Sequence, residues 1–207
     1  MPFSTYDELK TSLQNWCSNR SDVPTNSEDF IRLAEGSLSL IMRNRKQVTV
    51  QTLTPVSGEV IIPEDFAGVR SVVMTGTPRR NLDFITIAQA DRKYDVNVGG
   101  IANAYTIIGE VIKTYPMATQ DIELTYYAEI PQLSNDTPGT SDTNWLLKKF
   151  PNLYLEASQA EFFRWNQDME NLQISMLRVQ DMTDRINDRD DLDVYGDATA
   201  TIQGYTP

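Results

Sequence analysis

Glu123 and Glu129 are where chemistry would first be sought, because both fall on one face of an alternating run, Gln120–Ile130. Two carboxylates held close together on such a face could divide acid and base duties, as glycoside hydrolysis requires. An extended strand rises about 3.3 Å per residue, which sets these two roughly 20 Å apart, too far for concerted work. Asp188, Asp190, Asp191 and Asp193 have the composition of a hard-cation loop. They lack the spaced glycine and closing glutamate of a calcium loop, so no ion is expected there. Val98-Gly99-Gly100-Ile101 is too short to cradle a phosphate and is not followed by Lys-Ser/Thr. The chain contains no histidine, which removes Ser-His and Cys-His nucleophile pairs and every imidazole ligand. Cys17 stands alone, so it closes no intrachain disulfide and fits synthesis in a reducing compartment. No catalytic residue, cofactor or metal is expected.

Charge narrows the partners. The 207 residues carry a formal charge of −11, the wrong sign for holding nucleic acid by its phosphates. The acids gather late: Asp181, Asp184, Asp188, Asp190, Asp191, Asp193 and Asp197 meet only Arg185 and Arg189. The bland reading is a solvated helix end that keeps the protein soluble. The functional one is a surface that DNA slides past without sticking. No apolar run approaches the roughly 20 residues of a membrane span, and Met1–Phe3 lead straight into a capped polar helix, so no secretory signal is expected.

The elements that must position these residues begin with a helix. Thr5 and Glu8 form a capping box, with Ser4 and Asp7 overlapping it loosely, and Tyr6, Leu9, Leu13 and Trp16 follow at helical spacing. Ser18–Pro24 reads as a polar loop. A second helix is expected from Asn26 or Ser27, with Phe30, Ala34, Leu38 and Ile41 on one face and Arg43, Arg45 and Lys46 at its end. Gly36 weakens it by about 1 kcal/mol relative to alanine, which a close packing neighbour would explain. Late in the chain, Asp142–Trp145 opens a short helical turn and Pro151 starts a helix through about Trp165. A last helix spans about Asp168 to Arg189, with Met169, Leu172, Met176, Val179, Met182 and Ile186 as its apolar stripe.

Between the helices the period changes to two. Val48 and Val50 alternate with polar residues, Pro55–Gly58 is a turn, and Glu59–Ile62 and Val69–Thr75 are short strands. Arg79 and Arg80 are expected in a solvated loop. Thr86 caps a short helix, Ile87–Tyr94. Tyr105–Lys113 reads as a hairpin whose Gly109-Glu110 turn needs positive φ at the glycine. In Gln120–Ile130 the residues Ile122, Leu124, Tyr126, Ala128 and Ile130 share one face, as in a half-buried antiparallel strand.

The expected fold class is therefore α+β: a helical bundle formed by both ends of the chain, with an inserted antiparallel β module of five or six strands. Residues 1–46 supply the N-terminal helices, 47–133 the β module, 134–192 the C-terminal helices, and 193–207 an extended C-terminal arm. The arm is too small and polar to fold alone. It is a frayed terminus, or it orders on a neighbour through Tyr195, Ile202 and Tyr205.

In the order of its elements the chain resembles the head-to-tail adaptor proteins of tailed bacteriophages, especially those of short-tailed phages. The resemblance is carried by Tyr6-Asp7-Glu8-Leu9-Lys10, Phe30-Ile31-Arg32-Leu33-Ala34-Glu35 and Tyr105-Thr106-Ile107-Ile108-Gly109. It continues in Leu124–Ser134, Thr143–Leu147 and Pro151–Leu155. Such a resemblance implies a structural virion protein at the head-tail junction: a homo-oligomeric ring, usually of twelve copies, below the portal protein. The ring would extend the DNA channel, let DNA pass without specific binding, and dock the tail or nozzle protein. The resemblance also admits tail-fibre attachment. It implies that the helical ends form the ring wall, that the arm wedges into the portal or a neighbour, and that the β module faces outward or towards the tail. Trp16, Phe163 and Trp165 are candidates for burial in the ring interface, and Asp181, Asp184, Asp188, Asp190 and Asp191 for the acidic channel surface. Two other classes remain open: a carboxylate-dependent cell-wall hydrolase, and a binding β module on a helical stalk, with Tyr127 as its best contact residue.

Overall fold

A computed structural model describes residues 4–17, 23–95, 98–134 and 142–195, with backbone alone at 24 and 191–195. Six α-helices lie among them: Tyr6–Trp16 (α1), Val23–Ile41 (α2), Ile87–Lys93 (α3), Trp145–Lys149 (α4), Pro151–Trp165 (α5) and Met169–Tyr195 (α6). The chain divides into two compact units, one of residues 1–46 with 130–207 and one of residues 47–129. The fold is α+β.

In the helical unit, α5 is the central element. It packs against α1, α2, α4 and α6, and it buries residues on nearly every side, from Leu153 and Tyr154 through Ala157 and Ala160 to Phe162. The caps work as the sequence implies. Thr5 Oγ1 accepts from the Glu8 amide at 3.4 Å while Glu8 Oε2 accepts from the Thr5 amide at 3.3 Å. These amides, with that of Ser4, hold the Glu8 carboxyl below its ordinary range. Tyr6, Leu9 and Leu13 are buried, but Trp16 is 65 % exposed and Cys17 fills the core instead. α2 starts at Val23, ahead of the expected Asn26 or Ser27. Val23 is fully buried, and Pro24 is tolerated in a first turn because its missing N–H would have had no helical partner there.

The stripe along α6 is only partly as expected. Leu172 is buried, and Val179, Met182 and Ile186 pack against the helical core, but Met169 and Met176 are exposed. Ser175, Thr183 and Asp190 are buried in the same helix. α6 also runs beyond Arg189, to Tyr195. Ile130 and Leu133, expected at the end of the β module, lie in the helical core.

The β unit holds strands Val48–Leu53 (β1), Glu59–Ile61 (β2), Phe66–Met74 (β3), Arg80–Asn81 (β4), Asp83–Phe84 (β5), Gly99–Gly100 (β6), Ala104–Ile108 (β7), Val111–Tyr115 (β8), Met117–Ala118 (β9) and Ile122–Ala128 (β10). They form sheets ordered β1-β10-β3-β4, β2-β8-β7-β5 and β6-β9. The sequence reading expected fewer strands and antiparallel pairing throughout. The difference lies in two-residue strands, too short to show a period, of which β5 pairs β7 and β6 pairs β9 in parallel. β10 is central and antiparallel to both neighbours, with Ile122, Leu124 and Tyr126 in the core. The hairpin β7–β8 closes with Ile108 opposite Val111, and Gly109 takes φ of 60°. Ser57 and Gly58 both have positive φ in the turn before β2, and a Cβ on Gly58 would lie 2.7 Å from Met117.

Candidate interaction surfaces

Glu35 is a carboxylate on the apolar side of α2, one turn from Ile31 and from Leu38, and it is buried with them. Its Oε1 accepts from the Leu133 amide at 2.9 Å and from the Tyr154 hydroxyl at 2.5 Å. Asn144, the N-cap of α4, donates through Nδ2 to the Pro131 carbonyl and to the Tyr154 hydroxyl oxygen. Among the described residues Glu35 Oε2 has no hydrogen-bond partner. Burial raises the Glu35 carboxyl above its ordinary range, although the Tyr154 hydroxyl, the Leu133 amide and the Arg32 charge pull the other way. Burial and the Glu35 carboxylate raise the Tyr154 phenol as well. A protonatable glutamate beside a tyrosine has the chemistry of a general acid. Tyr154 is fully buried and Glu35 nearly so, so no substrate reaches the pair. It acts as a brace joining α2, α4, α5 and the segment before α4. Sequence reasoning overlooked it, though a glutamate on an apolar helix face was a signal.

The acidic end of α6 separates into two kinds of residue. Asp181 is exposed and pairs with Arg185 at 3.0 Å; Asp184 is exposed and accepts from Gln180 at 2.8 Å; Asp188 is exposed. Asp190 departs from the expected acidic surface. It is 8 % exposed, its Oδ2 accepts from the Arg45 amide at 2.6 Å, and its Oδ1 lies 3.4 Å from Arg45 Nε. Asn187, one turn earlier, accepts from the Arg43 amide and donates to the Ile41 carbonyl. Together they receive the backbone leaving α2, where a helix end needs polar partners. The side chain of Asp191 is outside the described residues.

The three aromatics proposed for an interface differ in exposure. Phe163 is half-buried against the helical core. Trp165 is half-exposed at the end of α5, with its ring 5.8 Å from Phe30 and 6.3 Å from Phe162. Trp16 is the most exposed of the three, at the end of α1. Tyr195 is the last residue of α6, its side chain outside the described residues, as are Ile202 and Tyr205 entirely. Leu33, Leu40 and Leu177 are exposed as well, together with Met169 and Met176 of the expected α6 stripe. A separate cleft of about 260 Å³ in this unit gathers Arg45, Lys149 and Arg189 around Asp190 and Phe150.

In the β unit, Val50, Val56, Ile61 and Phe84 are exposed, and Val56 and Ile61 border a cleft of about 380 Å³. Tyr126 donates to Asp65 at 2.8 Å, and burial with that carboxylate pushes its phenol up to about 12. The carboxylates first considered for chemistry do not meet. Glu123 is engaged by Arg79, which sequence reasoning left solvated, and Glu129 is exposed beyond the end of β10. Tyr127 is half-buried on β10, which pairs along both edges with β1 and β3. Among the described residues no group of three or more His, Cys, Asp or Glu could hold a metal ion, and no helix is long and apolar enough to cross a membrane.

A family model described as SU10 adaptor protein matches residues 4–202 of the chain. No curated protein matches it.

Proposed function

Since the chain belongs to the SU10 adaptor protein family, a family of phage head-to-tail adaptors, we propose that it works as a ring between portal and tail. The ring, of about twelve copies in this proposal, sits at one capsid vertex, extends the DNA channel and gives the tail its docking surface. The observation that carries this is the family match over nearly the whole chain, helical unit and β unit together. A piece of an adaptor borrowed by an unrelated protein would match over less.

The helical unit builds the ring wall and meets the portal, and the β unit faces outward or towards the tail. The exposed aromatics Trp16 and Trp165 supply apolar area for contacts between copies, as half-exposed indoles do at protein interfaces. Phe163 is half-buried against the helical core of its own subunit and adds less area to such a contact. The C-terminal arm, through Tyr195, Ile202 and Tyr205, anchors on the portal or on a neighbouring copy. Asp181, Asp184 and Asp188 give the channel a negative wall that repels phosphate, so DNA passes without being held. Asp190 is omitted from that wall because it is committed to Arg45.

Mixing the purified full chain with the portal ring of the same virus and imaging the product by cryo-microscopy tests the proposal. The expected result is a second ring stacked on the portal. A chain that forms a closed dimer and ignores the portal would overturn it, as would a virion neck without this polypeptide.

A further inference from the structure

The edge of a sheet presents backbone amides and carbonyls that no strand has answered, and folded proteins blunt such edges. Among the described residues, the two four-stranded sheets end on β1 and β4 and on β2 and β5. β4 and β5 are two residues long and carry Arg80 and Asp83. β2 is three residues long, and its Glu59 pairs with Lys113 at 3.2 Å. β1 is the exception. It runs for six residues, Val48-Thr49-Val50-Gln51-Thr52-Leu53, without a charge, a proline or a glycine, and it pairs only with β10. In an antiparallel pair every second residue turns its amide and carbonyl away from the partner strand. Among the described residues nothing answers those of β1, since residues 48–53 make no hydrogen bond outside the β10 ladder. Thr49, Val50, Gln51 and Thr52 are all exposed, Val50 at 57 %, so no described element lies over the middle of the strand.

Such an edge takes another extended strand, held by main-chain hydrogen bonds and selected by alternate side chains. The chain carries one outside the described residues. Residues 18–22 include Arg20 and Asp22, and residues 135–141 include Pro138 and Gly139. Ala198-Thr199-Ala200-Thr201-Ile202-Gln203, in contrast, is a run of six with no charge, proline or glycine. Its first four residues alternate apolar and polar in phase with Val48-Thr49-Val50-Gln51. Laid parallel with Ala198 beside Val48, the two strands put their apolar residues on one face and set Thr199 and Thr201 beside Thr49 and Gln51. The same register carries Tyr205 just past Leu53. There Leu53, Val56, Val60 and Ile61 line a cleft of about 380 Å³, which has room for an aromatic ring.

We propose that residues 198–203 of one copy add as a parallel strand to the free edge of β1 in the next copy, with Tyr205 in the adjoining cleft. The proposal rests on the ring reading above and selects the neighbouring copy, rather than the portal, as what the arm holds. A ring needs two different patches on each subunit that fit each other; the arm is one and the β1 edge is the other. Each copy gives one strand and receives one, so a closed ring leaves no β1 edge bare. An arm folded back on its own β1 would leave the copies unlinked. Residues 196–207 span up to roughly 40 Å when extended, more than the roughly 30 Å of a small domain, so the arm is long enough to leave its own subunit.

Full-length variants test this alone and with the portal ring, with incorporation into rings as the readout. Of two successive strand residues one turns its amide to β1, so Ala200→Pro/Thr201→Pro removes a ladder bond in either register. Its assembly should fall by about tenfold or more, while the thermal midpoint of the unassembled chain matches the wild type. Ala200→Ser/Thr201→Val keeps every amide and should assemble as the wild type does. Under whichever condition assembles the wild type, a Thr49→Cys/Thr199→Cys double variant treated with a short bis-maleimide should give a ladder of multimers. Each single-cysteine variant should give none, because the native Cys17 is buried. If the wild type assembles while the proline variant assembles equally well, or while the double-cysteine variant gives no ladder, the strand contact is wrong and the ring stands. A cross-link found by mass spectrometry only within one chain would place the arm on its own subunit, and a dimer of Thr49→Cys alone would pair two β1 edges; either overturns the proposal. A wild-type chain that never assembles, with portal or without, removes the ring reading and this contact with it.

Discussion

Tyr154 donates its phenolic proton to Glu35 at 2.5 Å, tying α5 to α2 across 119 residues of sequence. Both groups are buried, and each shifts the other. Removing the hydroxyl with Tyr154→Phe leaves the Glu35 carboxyl without one donor and Asn144 Nδ2 without one acceptor. A buried group stranded this way costs about 1–3 kcal/mol. Urea unfolding should show that loss as a lower midpoint at unchanged slope; a midpoint equal to wild type would mean the bond contributes nothing.

The same carboxyl makes stability depend on pH. Burial raises its proton affinity in the folded state above that of an ordinary glutamate, so the folded protein keeps this proton longer than the unfolded one does. The resulting stability is fully present below the unfolded pKa and is lost as pH rises through the folded value. Glu35→Gln carries no charge at any pH. Its stability relative to wild type should therefore improve between pH 4 and pH 7, read as the difference of thermal midpoints. A difference that is flat, or that moves against Gln as pH rises, would show the carboxyl is not raised.

Asp190 and Asp188 are near neighbours with opposite duties. Asp190→Ala removes a buried acceptor from the Arg45 amide, which predicts a loss of about 1–3 kcal/mol. Asp188 is exposed, and Asp188→Asn should change stability by less than about 0.5 kcal/mol. Denaturant melts of the two variants side by side give the comparison. Equal effects would put both on the surface.

β10 carries the β unit. Leu124 is fully exposure-free between β1 and β3, so Leu124→Ala should cost about 2–5 kcal/mol. Hydrogen exchange should show lost protection in residues 47–129 first, because those residues form their own compact unit. Protection lost evenly over both units would mean that they unfold as one.

Where pattern and chemistry are local, the sequence is sufficient. The Thr5–Glu8 and Thr86–Gln89 caps, the start of α5 at Pro151, the Gly109 turn and the alternation along β10 are all as their residues imply. Each depends on atoms a few residues apart, so propensity and spacing decide it. The absence of histidine and the formal charge of −11 belong to the same class of fact. They are properties of the chain whatever its fold.

What lay beyond the sequence is what depends on distant partners. Periodicity names the face of a helix but not how deep it sinks: α6 buries Ser175, Thr183 and Asp190 while leaving Met169 and Met176 outside. Asp190 looks like one more surface acid until Arg45, 145 residues away, is brought to it. Gly36 looked like a packing site, and only the arrangement of α2, α5 and α6 shows that its own subunit packs nothing there. A one-dimensional pattern records which residues prefer to be inside. Which of them succeed is settled by the few long-range contacts that the whole chain can satisfy together.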